Sequence, residues 1–407
     1  MESVALIPHL FRTEYSKIVT VLASRFGFDE IEIAEDIASE TFFTAAQTWG
    51  INGVPPNATA WLYSVAKNKA KNYLQRDNLF ANKITAELKS AASDETMEID
   101  LSSQNINDSQ LQMMFVVCHP AISPESQIAL SLRILCGFGI EEIADAFLTS
   151  KENINKRLFR AKEKLREVKI KIEFPLHAEM DSRLSAVLTT IYLLFNEGYY
   201  SVSQNKTVRK ELCLEAMRLC TMLVENKTTN KPQVNALLAL MCFHASRFDA
   251  RVDDEGELIL YEDQDINLWN TGLINKGACF LNFASAGNNL SKYHLEAGIA
   301  YWNTRKADTN EKWEHILQLY NHLLQVAYSP IAALNRTYAL SKAHSKQEAI
   351  IEAEKLNLIG NPFYFVLLGE LYTGIDREKA ETNFKTALSL SKTDANRTAI
   401  QKKINKL

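Results

Sequence analysis

IEEIADAFLTSKENINKRLFRAKEKL, residues 140–165, holds apolar residues in two short helical registers divided by one break. Ile140, Ile143, Ala144 and Phe147 share one face of the first register, and Ile154, Leu158, Ala161 and Leu165 form a stripe along the second. Ala144 is small where two steeply crossing helices must approach closely. Thr149 or Ser150 can cap the second helix, and Thr149 with Glu152 three residues on fits a capping box. The pattern predicts a helix-turn-helix. One position departs from it: Leu148 stands where many such turns have Gly.

The second helix leaves Lys151, Glu152, Asn153, Asn155, Lys156 and Arg160 on its open side near the N-terminal end, the end that enters a major groove. Arg157, Lys162, Lys164 and Arg166 are of the type that binds phosphates. Lys151 to Lys171 holds nine basic residues against three acidic ones. A solvated amphipathic hairpin has the same pattern, so this stretch leaves both readings open.

Composition frames the choice. The chain has 407 residues, 46% hydrophobic and 23% charged, which is the balance of a soluble protein of several domains. Gly (14) and Pro (9) are sparse, and this predicts an all-helical fold. A net charge of -4 is not that of an autonomous nucleic-acid binder, so any DNA-binding charge must be local. The six Cys form no CxxC pair and read as buried, reduced thiols, with no metal or other cofactor implied. The N-terminal stretch lacks a signal-peptide layout and the longest apolar run is too short to span a bilayer, so the expectation is a cytoplasmic protein with no membrane partner.

Upstream, FDEIEIAEDIASETFFTAAQTW (28–49) has apolar residues near helical spacing at Ile33, Ile37, Phe42 or Thr41, Ala45 and Trp49. INGVPPNATA breaks the chain, and Asn57 or Thr59 can cap a further helix from about Trp61 to Arg76. That helix turns Leu62, Val65, Ala66, Ala70 and Tyr73 inward. Its other face is a basic, amide-rich stripe of Lys67, Asn68, Lys71, Asn72 and Arg76, suited to a nucleic-acid backbone and base edges. Trp61, Tyr63 and Tyr73 could stack on bases, although aromatics at this spacing more often serve a core.

Residues 79–115 are polar and acidic, without a clear apolar period, and are expected to form a flexible linker. Ser123 before Pro124 opens the next helical block, which ends near Lys171. From residue 173 to 407 helix follows helix, and Gly369, Tyr372, Ala380, Phe384 and Ala387 fit a tetratricopeptide-like helix pair within 311–407. The acidic loop 249–265 is a weak calcium candidate, because Arg251 occupies the position of the first ligand; DDEGELILY reads instead as a turn into a short extended segment. No catalytic constellation is discernible, so no enzyme is expected.

Taken in order, AEDIASETFFTAAQTW, PPNATAWLYSVAKNKAKNYLQR and SPESQIALSLRILCGFGIEEIADAFLTSKENINKRLFRAKEKLRE resemble the polymerase-binding helix, the -10 segment and the -35 domain of bacterial RNA polymerase sigma factors of the extracytoplasmic-function (group IV) type. The resemblance covers residues 9–170, with region 2 over 1–78 and region 4 over 116–172. It implies core RNA polymerase and promoter DNA as partners. It also implies polymerase docking through Asp36, Glu40, Phe43 and Gln47, with Asn57 and Trp61 joining the -10 stripe. Ser39 departs from the Gln usual in the docking helix. IYLLFNEGYYS, ALLALMCFHASRFDARVDDEGELILYEDQDINLWN and SPIAALNRTYAL resemble the subgroup with a long C-terminal helical-repeat extension. That resemblance implies an extension that modulates activity, with an unidentified protein or ligand as its possible partner. The alternative is a stand-alone helix-turn-helix regulator with a helical-repeat sensor.

Overall fold

A computed structural model of the chain describes residues 2–84, 99–200, 206–251, 259, 261–287, 289–391 and 394–407. Among these the regular structure is entirely helical, as the scarcity of Gly and Pro predicts. The chain divides into two compact units, Met1–Leu223 and Val224–Leu407.

The first unit is built on α1 (Glu2–Phe26), whose Tyr15, Ile18, Val19 and Leu22 are fully buried at helical spacing. Against it lie α2 (Ile31–Asn52) and α3 (Ala58–Ile84). α2 buries Ile31, Ala34, Ile37, Ala38, Phe42, Ala45 and Trp49, and the Phe42 ring meets Phe11 edge-on at 5.0 Å. Asn57 is the residue that caps α3, its Oδ1 accepting the Ala60 N–H at 2.9 Å. Leu62, Ala66 and Ala70 face inward as expected, while Val65 and Tyr73 are half-buried.

The expected flexible linker is corrected over its last third. Ser103–Val117 form a helix, α4, capped by Ser102 and buried at Ile106, Leu111 and every residue from Met113 to Val117. α4 packs between α1 and a later helix, so it is buried nearly all round and shows no amphipathic period. Residues 85–98 of that segment lie outside the described residues.

Ser123 and Pro124 start α5 (Pro124–Leu130), which runs into a π turn, Ser131–Leu135. The turn closes through Cys136 N–H to the Ser131 carbonyl at 3.1 Å. α6 (Ile140–Ala146) and α7 (Lys151–Glu167) follow, then α8 (Met180–Tyr200) and α9 (Lys206–Glu225). Although the extension was expected to begin at 173, α8 belongs to the first unit. Thr190 donates to Gln127 Oε1 at 2.7 Å, and Arg183 donates to the Phe115 carbonyl at 2.6 Å. These bonds satisfy groups that would otherwise be buried unpaired.

The second unit holds α10 (Pro232–Ala245), α11 (Phe248–Arg251), α12 (Thr271–Ala284), α13 (Lys292–Trp302), α14 (Asn310–Val326), α15 (Pro330–Ala343), α16 (Lys346–Leu356), α17 (Pro362–Tyr372), α18 (Arg377–Leu390) and α19 (Asp394–Asn405). From α13 on, each helix packs on the next, as in a helical-repeat array. Gly369 of α17 is required by this packing: a Cβ there would lie 2.7 Å from the Phe384 ring of α18. The acidic stretch enters as α11 and leaves as a 3-10 turn at Tyr261–Asp263. The expected extended segment falls largely on residues 252–258 and 260, outside the described residues. Five Cys are buried, but Cys279 is exposed, which corrects the expectation for that residue.

Candidate nucleic-acid interface

The helix-turn-helix is formed by α6 and α7. Ile143, Ala144, Ile154, Leu158, Ala161 and Leu165 are buried between them and their neighbours, while Ile140 and Phe147 are half-buried. Ser150, one of the two caps foreseen, starts α7 by accepting the Asn153 N–H at 3.3 Å. Thr149 instead accepts the Asn153 side chain at 3.2 Å, so the box with Glu152 does not form.

Leu148 adopts φ 48°, the left-handed conformation for which Gly is usual and in which a leucine Cβ is strained. Its side chain is 64% exposed and contributes little packing. Leu148→Gly therefore relieves about 1 kcal/mol of strain, partly offset by the extra chain entropy of Gly. The expected result is unchanged or slightly raised Tm by calorimetry; a clear loss of stability would refute the strain.

Lys151, Glu152, Asn153, Asn155, Lys156 and Arg160 are all exposed on the N-terminal half of α7. Lys151 pairs with Glu141 of α6, and Glu152 has its carboxyl held below the usual range by hydrogen bonds at the helix start. Arg157 departs from the row: it is half-buried, its guanidinium 5.2 Å from the Phe147 ring centre, and it braces the turn. Phe159, 65% exposed between Leu158 and Arg160, is a single aromatic off the buried row and so carries no spacing signal in the sequence.

The second basic face, on α3, is also open. Asn68, Lys71, Asn72 and Arg76 are exposed and Lys67 half-exposed. Trp61 stacks edge-on with Trp49 at 5.3 Å and keeps part of its ring accessible. Tyr63 donates to Glu14 at 2.5 Å, and its phenol is pushed up by burial and then by that carboxylate. Asn57 caps its helix and also lies at the surface.

On α2, Asp36, Glu40, Phe43 and Gln47 form one exposed line at helical spacing. Phe43 is 64% exposed although its neighbour Phe42 is buried. Glu40 reaches Lys69 of α3 at 3.0 Å. Ser39, where Gln was usual, turns back to bond the Glu35 carbonyl at 2.8 Å.

The two basic faces are not independent bodies, because α7 is fastened to α2. Glu35 is buried to 8% exposure, and its carboxylate takes Arg133 Nε at 3.1 Å and the buried Lys162 ammonium. Glu32 takes Lys162 at 3.4 Å and also Arg166. Arg133 sits in the π turn, where the extra residue redirects the side chain, and it also donates to Tyr15 Oη and the Phe138 carbonyl, each at 3.2 Å. A second fastening joins α1 to α6: Arg12 pairs with Glu142 at 2.5 Å and lies 3.9 Å over the Phe138 ring. In this arrangement Lys162 and Arg166, expected to bind phosphates, are paired with carboxylates of α2. One signal was visible beforehand: Glu35 interrupts the apolar row of Ile31, Ala38 and Phe42, and a carboxylate placed there needs a buried cation.

Residues 11–79 match the family described as Sigma-70 region 2, residues 112–165 the one described as Sigma-70, region 4, and residues 183–285 a family of unknown function, DUF6596. An uncharacterised protein of Rhizobium meliloti (strain 1021) is 33% identical over 370 residues, covering 89% of this chain and 87% of that relative. No solved structure matches the chain.

Proposed function

Since this chain belongs to the sigma-70 family and is an RNA polymerase sigma factor that directs promoter-specific initiation, we propose a division of labour among its surfaces and a closed resting state of its two readers. The α2 line of Asp36, Glu40, Phe43 and Gln47 docks on core polymerase. The α3 face, with Asn57, Trp61, Lys67, Asn68, Lys71, Asn72 and Arg76, holds the -10 element. Lys151 to Arg160 on α7 read the -35 duplex, with Arg157 supporting the turn. The C-terminal unit modulates this activity.

The observation that carries the closed state is Glu35, buried between α2 and α7 with two cations on it. Two promoter elements about 25 base pairs apart are separated by roughly 85 Å of B-form duplex. Readers joined by ion pairs cannot occupy both. Eighteen residues of chain, 85 to 102, join α3 to α4. Opening also frees Glu32, which continues the docking line one turn before Asp36 and is held by Arg166 in the closed form.

The test is in vitro transcription with core polymerase and full-length chain, beside gel-shift assays of the free chain. The expected result is specific initiation with polymerase and weak promoter binding without it. Footprinting of promoters by the chain alone, with no association to polymerase, would favour the stand-alone regulator. Within the holoenzyme, Arg160→Ala is expected to cost about 1–3 kcal/mol in -35 binding if it reads a base edge, with relaxed selectivity at one position. A uniform loss over all sequences would reassign Arg160 to a phosphate.

A further inference from the structure

Within the C-terminal unit a cavity of about 690 Å³ runs along α15, α17 and α19, closed at one end by the Tyr261 turn. Its volume is that of a small-molecule site. Its two ends differ in chemistry. Phe363, Val366 and Ile400 line one, and Lys306, Lys312, Trp313 and Lys342 line the other.

Among the described residues the cationic end carries more positive charge than its own groups neutralise. Lys312 is 1% exposed, and its ammonium donates to Tyr261 Oη at 3.1 Å and to the Arg305 carbonyl at 2.7 Å, both neutral oxygens. Lys306 donates to three carbonyls, those of Tyr261, Glu262 and Gln264, at 2.8–3.0 Å. Among the described residues neither ammonium has a carboxylate within ion-pair distance. Lys342 reaches Asp308 at 3.4 Å, but Asp308 is also bound by the Trp313 indole N–H. Burial holds the Lys312 ammonium below its usual range; the Asp308 carboxylate opposes that shift, and Arg247, Lys306 and Lys342 add to it. Lys403 pairs with Glu370, while Glu262 keeps its charge and accepts the neutral Tyr338 hydroxyl at 3.1 Å, so the lining holds four lysines (Lys306, Lys312, Lys342, Lys403) against three carboxylates (Glu262, Asp308, Glu370).

A buried cation without a counter-charge is costly, and a bound anion removes that cost. The aromatic rings also indicate the sign of the ligand. Lys306 and Lys312 already lie over Tyr261 at 5.4 and 5.2 Å, and Lys312 and Lys342 over Trp313 at 5.3 and 5.8 Å. At this end the rings of Tyr261 and Trp313 already face ammonium groups, so a cationic guest there would meet repulsion.

We propose that this cavity binds an organic anion, with a carboxylate or phosphate held at Lys312 and Lys342 and an apolar body lying toward Phe363, Val366 and Ile400. The site stands apart from promoter recognition, because its occupancy is measured without polymerase or DNA. Titration calorimetry of the full-length chain would use 4-phenylbutyrate and phenyl phosphate as probes, with neutral 4-phenylbutyramide as the comparison. The expected result is saturable binding of at least one anion, about tenfold or more tighter than the amide, and weakened about tenfold by Lys342→Gln. Lys342 is exposed, so the variant folds; Lys355→Gln, outside the cavity, is expected to bind like the parent. Which anion binds tells a carboxylate ligand from a phosphate ligand. Equal affinity for the amide, an unaffected Lys342→Gln, or no saturation by either anion at millimolar concentration would overturn the proposal.

Discussion

Replacing Asp36 and Phe43 together by Ala is expected to abolish core polymerase binding while leaving the fold intact. Both side chains are exposed on α2 and neither has a packing role in the unit. Surface truncations of this kind shift stability by about 0.5 kcal/mol or less. An exposed aromatic at the centre of a docking line contributes about 2 kcal/mol or more to an interface, and a charged neighbour a similar amount. Two such losses, near 4 kcal/mol, weaken binding by roughly several hundredfold. A pull-down with core polymerase, with circular dichroism as the folding control, reads the result. Polymerase retained at parental level by the double variant would remove α2 from the docking role. The same result would revive the stand-alone regulator, which has no need of this helix.

The second large effect is expected from Glu35→Ala. Removing one partner of a buried ion cluster leaves the other charges uncompensated, at a cost of about 3–5 kcal/mol. Here the groups left behind are Arg133 and Lys162, both on the region 4 side, so the cost falls on the packing of α7 and the π turn against α2. Those cations regain water when the two parts separate. The variant therefore shifts the module toward the open form by roughly a hundredfold or more. Labels placed at Gln75 and Lys156, both exposed, are expected to show a longer separation by energy transfer. Transcription with core polymerase is expected to rise, since the free-energy cost of opening is reduced before docking. An unchanged label distance together with unchanged transcription would show that the closed arrangement does not restrain the protein. Salt is a weaker lever on this cluster than on the exposed Lys151–Glu141 pair, because buried pairs are little screened.

These two outcomes separate the roles of neighbouring residues on one helix. Asp36 points outward and Glu35, one position earlier, points into the cluster. Loss of polymerase binding in the first variant with gain of activity in the second is a pattern that general damage to α2 cannot produce.

Much of this was legible in the residues. The buried stripe of α7 and the open basic-amide faces of α3 and α7 follow from spacing alone, and all four residues of the docking line stand exposed. The missing Gly of the turn was visible too, and the backbone at Leu148 bears the strain that its absence implies. α4 was hidden for a definite reason. Periodicity reveals a helix only when one side meets water, and Met113 to Val117 are buried on every side.

The sequence by itself determined the helical class, the order of the two readers and which face of each helix turns inward. It could do so because burial recurs about every 3.6 residues along a helix, a regularity written locally in the chain. Only the tertiary structure decided what those faces meet. Glu35 finds Arg133 and Lys162 at separations of 98 and 127 residues, and Glu32 finds Arg166 at 134. No local pattern encodes such a pairing. Lys162 and Lys156 carry the same charge on the same helix, one buried against α2 and one open to solvent, and their different roles come from the partner that folding brings to each.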